Sequence, residues 1–473
     1  MRGGFQEKPV DWGYAHFSKN NMTNQLAQNT IFFLGKSIIQ YYQEEKFSTK
    51  YVINDIKKLN QICHDNRKKN NGKKLNVQLK NIPGKSPNII LIVLESFISE
   101  NCNFLNPNLT EEITPNLNKI AEQGISFKRC FANGIRSAYG ISSILCSWPV
   151  LPGRPIISQV EASFNNNKAG GPIRLMTKLG YTQIFLYGGN ANFDNMKGFV
   201  MANGFNDVID WSDGFLRNNE TGTMWGLFDH IMFDNLIETA ENSSKQNNPF
   251  MITFFTTTNH DPFRVPEKYK SKLPNFNLGN RKYQRAKLTM AYDDLLIAEF
   301  LNKAKKYEWY DNTIFIFTAD HGLTVHRDMS NHPLNGHIPF IIYSELLDTN
   351  MVIDKIVSQV DVFPTILDLL EQNNILQDAW VKPGVHINGV GGDCPGKTEL
   401  DPEIWRDVSC YQSKGLLRGS LKDSNRKTIL QSFPFFHRKS RPKLFFNAAL
   451  QILLNIQTEG EDENAPYYAE ITD

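Results

Sequence analysis

The chain has 473 residues, of which 41% are apolar and 21% charged, and a net charge of only +2. That is ordinary globular composition, long enough for one large core or two domains. Nothing in it resembles a nucleic-acid-binding module, and no run of about 18 apolar residues exists that would span a bilayer.

Residues 1–86 read as a polar, helical leader with 15 Lys/Arg against 6 Asp/Glu. Such an excess fits a solvated face or a segment lying near anionic headgroups. The opening MRGGFQEKPV lacks the apolar core of a signal peptide, so taken literally the chain is soluble and cytoplasmic. The leader ends in RKKNNGKK at 67–74, a composition expected of a mobile linker. The character then changes abruptly. Asn88–Leu94 is an almost unbroken run of β-branched and apolar residues, the pattern of a strand covered on both faces. Similar runs recur at Gln183–Tyr187, Pro249–Thr256, Thr313–Thr318 and Pro339–Tyr343.

Helical patterns lie between these runs. Thr114 and Pro115 predict a helix start, with Thr as N-cap and Pro in the first turn, and Gly124 suits the position just past its end. Residues 286–307 place Leu288, Tyr292, Leu295, Leu296 and Phe300 on one face of an amphipathic helix. Strands alternating with helices predict an α/β fold, a mainly parallel central sheet flanked by helices on both faces. From about 385 the pattern weakens into Gly/Pro/Asp-rich turns and a basic run, His437–Lys443, which predicts a small β-containing C-terminal subdomain. The expected organisation is therefore 1–86 leader and linker, 87–384 catalytic domain and 385–473 C-terminal subdomain and tail. Six cysteines stand far apart with no C-x-x-C pair, which argues against zinc knuckles and redox motifs. Cys130 and Cys146 read as buried small hydrophobes, and Cys394 and Cys410 could pair in an oxidising compartment.

Ligands of parallel sheets bind beyond the carboxyl ends of the strands. The first strand ends in LES, which puts Glu95 there. The strand at 313–318 ends in TADHG, which puts Asp320 and His321 in the following turn, and the strand at 249–256 runs into TTNHDPF, which puts His260 in its loop. One carboxylate at a strand end is usually a turn residue or helix cap. Three strand ends carrying Glu, Asp-His and His together make a mixed oxygen and nitrogen set suited to Mn²⁺ or Zn²⁺ rather than Ca²⁺. Ser137 follows a basic residue and opens an apolar, helix-like stretch, so it reads equally as a nucleophile at a helix N-terminus or as that helix's cap.

The ordered set LES, TPNLNKIAEQG, RSxxG, TNHxPF, ADHG and VDVFPTILDLL resembles the lipoteichoic acid synthase group of sulfatase-like transferases in the alkaline phosphatase superfamily. The likeness runs from about residue 1 to 420. It implies one divalent metal, usually Mn²⁺ with Zn²⁺ or Mg²⁺ as alternatives, bound by Glu95, Ser137, Asp320 and His321. It also implies a covalent phospho-intermediate on Ser137, a phospholipid headgroup donor, a glycan or polymer acceptor, and work at a membrane surface. His260 matches a substrate-pocket histidine. His337 in GHIPFIIY either lines the pocket or packs behind it with its polar atoms satisfied, and Arg136 binds phosphate or forms a surface ion pair.

The likeness has departures. The group's glycerol-phosphate polymerases hold the donor with His, Asp, Trp and Arg, where YGGNANFDNM here places Tyr187, Gly189, Asp194 and Met196. Tyr187 and Asp194 are therefore expected to shape a different headgroup pocket. SAYGI at 137–141 lacks the C/S-x-P-x-R context of sulfatases, which disfavours sulfate-ester hydrolysis. The resemblance implies a catalytic domain on the extracytoplasmic face, beginning where a membrane bundle ends, as expected of a truncated or split protein. A phosphoethanolamine-type transferase, a phosphodiesterase and a non-catalytic lipid- or glycan-binding module are the alternatives.

Overall fold

The computed structural model describes residues 86–150, 155–159, 162, 171–212, 222–246, 248–276, 282–323 and 333–371, the strand backbone of 408–413 and 416–421, and short pieces within 12–39 and 77–80. The linker at 67–74, Cys63, Cys394 and most of 385–473 lie outside these residues.

Nine strands form one sheet: β1 (Asn88–Leu94), β2 (Ile125–Phe131), β3 (Thr182–Tyr187), β4 (Asp207–Asp210), β5 (Phe250–Phe255), β6 (Thr313–Ala319), β7 (His337–Ile338), β8 (Phe340–Tyr343) and β9 (Met351–Ser358). Their spatial order runs β4, β3, β5, β1, β6, then β8 with β7, then β2, then β9. The five strands from β4 to β6 are parallel, β8 and β7 run against their neighbours, and β9 is parallel to β2. Every residue of β1, β5 and β6 is buried, as a strand covered by helices on both faces must be. The principal helices are α1 (Pro115–Gln123), α2 (Ser137–Cys146), α3 (Ile173–Lys178), α4 (Met196–Ala202), α5 (Asp229–Ser244), α6 (Lys282–Ala304) and α7 (Val362–Glu371). Further on, β10 (Val408–Ser413) and β11 (Leu416–Leu421) pair antiparallel. Among the described residues no helix is long and apolar enough to cross a membrane.

Differences from the sequence expectations have local physical causes. Pro339 has no N–H to give a ladder, so the strand predicted at 339–343 begins at Phe340 as β8, and a short unpredicted strand, β7, precedes the proline. Thr256 lies just past the end of β5, where its N–H donates to Val93 O at 3.0 Å and its hydroxyl accepts the Glu95 N–H at 2.8 Å. Thr114 occupies the N-cap position of α1 but makes no side-chain cap bond. Asp294 of α6 caps that helix instead, its two carboxylate oxygens accepting from Asn116 N at 3.0 Å and Leu117 N at 2.7 Å. Gly124 ends α1 with φ −117°, which any residue adopts. It is required because a Cβ there would meet Ile342 O at 2.2 Å. Cys102, Cys130 and Cys146 are buried free thiols.

Candidate active site

At the carboxyl edge of β1 and β6 the chain turns sharply. Ser96 has φ 52°, a left-handed conformation that costs about 1 kcal/mol or more for a residue with a Cβ. Two bonds hold it there. Its N–H donates to Asp320 Oδ1 at 2.8 Å and its hydroxyl to Glu95 Oε1 at 2.6 Å. Asp320 Oδ1 also accepts the His321 N–H at 2.8 Å. Asp320 Oδ2 is buried and accepts nothing.

That orphaned oxygen lies 3.4 Å from His321 Nε2, which in turn lies 3.8 Å from Glu95 Oε1. His321 Nδ1 is 2.8 Å from the Gly322 carbonyl. A carbonyl only accepts, so Nδ1 carries a proton there, and Nε2 is the nitrogen that faces the two carboxylates. One ligand atom from each of Glu95, Asp320 and His321 lies within 4.8 Å of the others. Burial first, and the Asp320 carboxylate second, push the Glu95 carboxyl well above the usual range. Two buried acids, an imidazole nitrogen facing them and a buried oxygen without a donor fit a divalent cation.

Ser137 opens α2. The residue in the cap position is Arg136, in extended conformation, so Ser137 is not the helix cap. Its Oγ points instead at Glu95 Oε2, 3.5 Å away. The helix reaches this place because Gly140, one turn on, presses against the strand end: a Cβ there would sit 1.9 Å from Asp320 O. The glycine of RSxxG is thus a contact between the serine's helix and the cluster's own backbone.

Arg136 and Asp194 meet in an ion pair at 3.1 Å, with the Arg136 side chain 55% exposed. Asp194 and Asn195 both have positive φ, 50° and 63°. Tyr187 is buried and stacked on Phe255 with ring centroids 5.0 Å apart. Burial and the nearby Glu95, Asp320 and Asp194 carboxylates raise its phenol further above its already high range. Gly189 leaves room for it, since a Cβ there would be 2.6 Å from the Tyr187 hydroxyl. Met196 is buried. His260 lies against Trp225, centroids 3.9 Å apart, and Trp225 Nε1 donates to Asp261 O at 2.8 Å. His337 sits behind β2, stacked on Phe131, with Nε2 donating to Lys128 O at 2.8 Å. Burial lowers its pKa, against the opposing pull of that carbonyl.

Asn259, Trp225 and Asp229 were not expected from sequence. Asn259 Nδ2 donates to the carbonyls of Glu95 at 3.0 Å and Ser96 at 3.2 Å, tying the His260 loop to the strand end. Asn259 stands inside the TNHxPF motif and could have been found there. Trp225 and Asp229 lie in no motif.

Comparison with known proteins agrees with this geometry. The Sulfatase family profile matches residues 87–372. A shorter match to the Ornithine cyclodeaminase/mu-crystallin family, residues 351–416, contains none of the site residues. Lipoteichoic acid synthase-like YvgJ of Bacillus subtilis is 24% identical over 60% of this chain and 48% of its own length. Lipoteichoic acid synthase of Staphylococcus aureus is 28% identical over 60% of this chain and 45% of its own. The chain spans about half the length of these curated relatives. Two solved structures share the fold. One is an alkaline phosphatase superfamily protein from Vibrio parahaemolyticus, with TM-score 0.56 and 22% identity over 86% of this chain and 97% of that one. The other is the lipoteichoic acid synthase LtaP from Listeria monocytogenes, with TM-score 0.53 and 18% identity over 86% and 100%. With a family match over more than half its length and the fold to go with it, the chain belongs to the Sulfatase family.

Proposed function

We propose that this chain carries the catalytic part, 87–384, of a metal-dependent transferase that moves a phosphoglycerol-type headgroup from a phospholipid to an acceptor hydroxyl, with Ser137 as nucleophile. The observation that carries the reading is Ser137 Oγ standing 3.5 Å from Glu95 Oε2, at the first residue of a helix and beside the Glu95, Asp320 and His321 cluster. The lipoteichoic acid synthase relatives support it.

In this proposal the Ser137 oxygen forms a bond to the donor phosphorus and the bond to diacylglycerol breaks, the alcohol leaving with a proton. The acceptor hydroxyl then attacks the phosphoserine, and Ser137 regains its proton as the transferred unit departs. The N-terminus of α2 favours the phosphate charge throughout. A divalent cation held by Glu95, Asp320 and His321, with Mn²⁺ favoured over Zn²⁺ or Mg²⁺, supplies charge neutralisation and a lowered hydroxyl pKa when bound. On this reading Arg136 meets a phosphate oxygen, His260 exchanges a proton with the substrate, and Tyr187 with Asp194 shapes the headgroup pocket. The acceptor is a glycan or polymer hydroxyl, and the domain works at the extracytoplasmic face, its basic leader against anionic headgroups.

The test is intact-mass analysis after incubation with phosphatidylglycerol and Mn²⁺. Wild type gains a glycerophosphoryl adduct that Ser137→Ala lacks. An adduct from phosphatidylethanolamine alone shifts the assignment to a phosphoethanolamine-type transferase. No adduct with any donor or divalent ion removes the nucleophile from the mechanism.

A further inference from the structure

Behind the loop that carries His260, two acids meet in the interior. Asp229 opens α5 and Asp293 lies in α6, and both are fully buried. Asp229 grips the turn leaving β5. Its Oδ1 accepts the Thr257 N–H and its Oδ2 the Thr258 N–H, both at 2.8 Å, while its own N–H donates to Thr258 Oγ1 at 3.0 Å. The next residue, Asn259, carries that grip to the active site through its bonds to the Glu95 and Ser96 carbonyls. Thr289, one turn before Asp293 on α6, donates to Asn259 Oδ1 at 2.6 Å and fixes the same loop from the other side.

Asp293 is the anomaly. Neither of its oxygens accepts a hydrogen bond, although both are buried. It faces Asp229 directly, side chain to side chain. The other acids acting on it are Asp294 and Glu95. The remaining polar neighbours are the Tyr292 hydroxyl, which bonds His230 Nδ1 at 2.7 Å, and Tyr269 beyond it. Among the described residues, the groups acting most strongly on Asp293 are all acids. Two carboxylate anions in contact with no donor between them repel across a dry space. One proton turns the same contact into an O–H···O bond.

We infer that Asp293 and Asp229 share one proton, and that Asp293 is a positioning residue: its O–H braces the carboxylate that holds Thr257 and Thr258, and through Asn259 the backbone of Glu95. Burial, with Asp229 next to it, pushes the Asp293 carboxyl well above the usual range, as the arrangement requires. The sign follows. The folded chain keeps a proton that the unfolded chain releases above about pH 4. Stability from this pair is therefore complete at low pH and is lost as pH rises through the folded value of Asp293.

The test compares the full chain with Asp293→Asn and Asp293→Leu from about pH 5 to about pH 9, by Tm and by headgroup-transfer rate. The Asn amide donates at every pH, so its Tm advantage over wild type grows with pH, by roughly 2–4 °C at the alkaline end, and its transfer rate holds where that of wild type declines. The Leu variant, having no charge to develop, shows the same loss of pH slope even if its Tm is lower throughout. A Tm difference between wild type and Asp293→Asn that stays constant across the range overturns the shared proton. The inference rests on the proposed function only for the rate measurement. The Tm comparison needs no substrate, so a failure of that function leaves this result readable.

Discussion

In the proposed metal centre a proton and a cation compete for the Glu95 oxygens. Burial and Asp320 raise the Glu95 carboxyl, so the metal-free folded protein keeps a proton there at pH values where an ordinary carboxylate has lost it, and a divalent ion must displace that proton. Binding of Mn²⁺ therefore tightens as pH rises, by up to about tenfold per unit while one proton is released. Mn²⁺ titrations followed by thermal shift at two pH values measure this, and Asp320→Ala abolishes the response. A response independent of pH would show that Glu95 is already ionised before the ion arrives. The cluster of Glu95, Asp320 and His321 was legible because each stands at the end of a buried strand, where an acid or imidazole stands out against the apolar run before it. Asp229 and Asn259 were not singled out. Their partners lie 28 and 164 residues away, and nothing local marks an acid that binds the backbone of a distant turn.

Among the elements, α2 shows how one hydrogen atom sets a geometry. Gly140 lets the helix touch the Asp320 carbonyl, and a methyl group at 1.9 Å cannot be accommodated without moving backbone. Gly140→Ala is expected to destabilise the fold by about 1–3 kcal/mol. It is also expected to slow transfer by about 100-fold, because the serine moves by roughly an ångström. Denaturant unfolding and the rate of adduct formation measure the two effects. Full activity in this variant would mean that some other contact places Ser137. The same lesson covers α1, whose sequence advertised a Thr114 cap and whose actual cap, Asp294, is 178 residues from Asn116. Capping chemistry was foreseeable there, but the identity of the donor's partner was decided by how α6 packs.

At the scale of the molecule, the parallel heart of the sheet was legible because β1, β5 and β6 are apolar along their whole length. The strands β2, β4 and β9 were not, since Lys128 and Arg129 interrupt one, four residues make another, and charges break the third. That last strand has a consequence beyond pairing. Among the described residues it is the outer rim of the sheet, with Val352 and Ile356 exposed. Opposite Lys128 it carries an extra residue, so that Asp354 and Lys355 bulge where the ladder would run on. Arg129 pins Asp354 at 3.0 Å. An open row of amides invites a second copy to dock along it, and a kinked, charged rim gives that copy no register to follow. Asp354→Val with Lys355→Ile should leave the Glu95, Asp320 and His321 cluster intact yet raise concentration-dependent assembly in sedimentation above that of wild type. Unchanged sedimentation would show that the kink alone keeps the molecules apart.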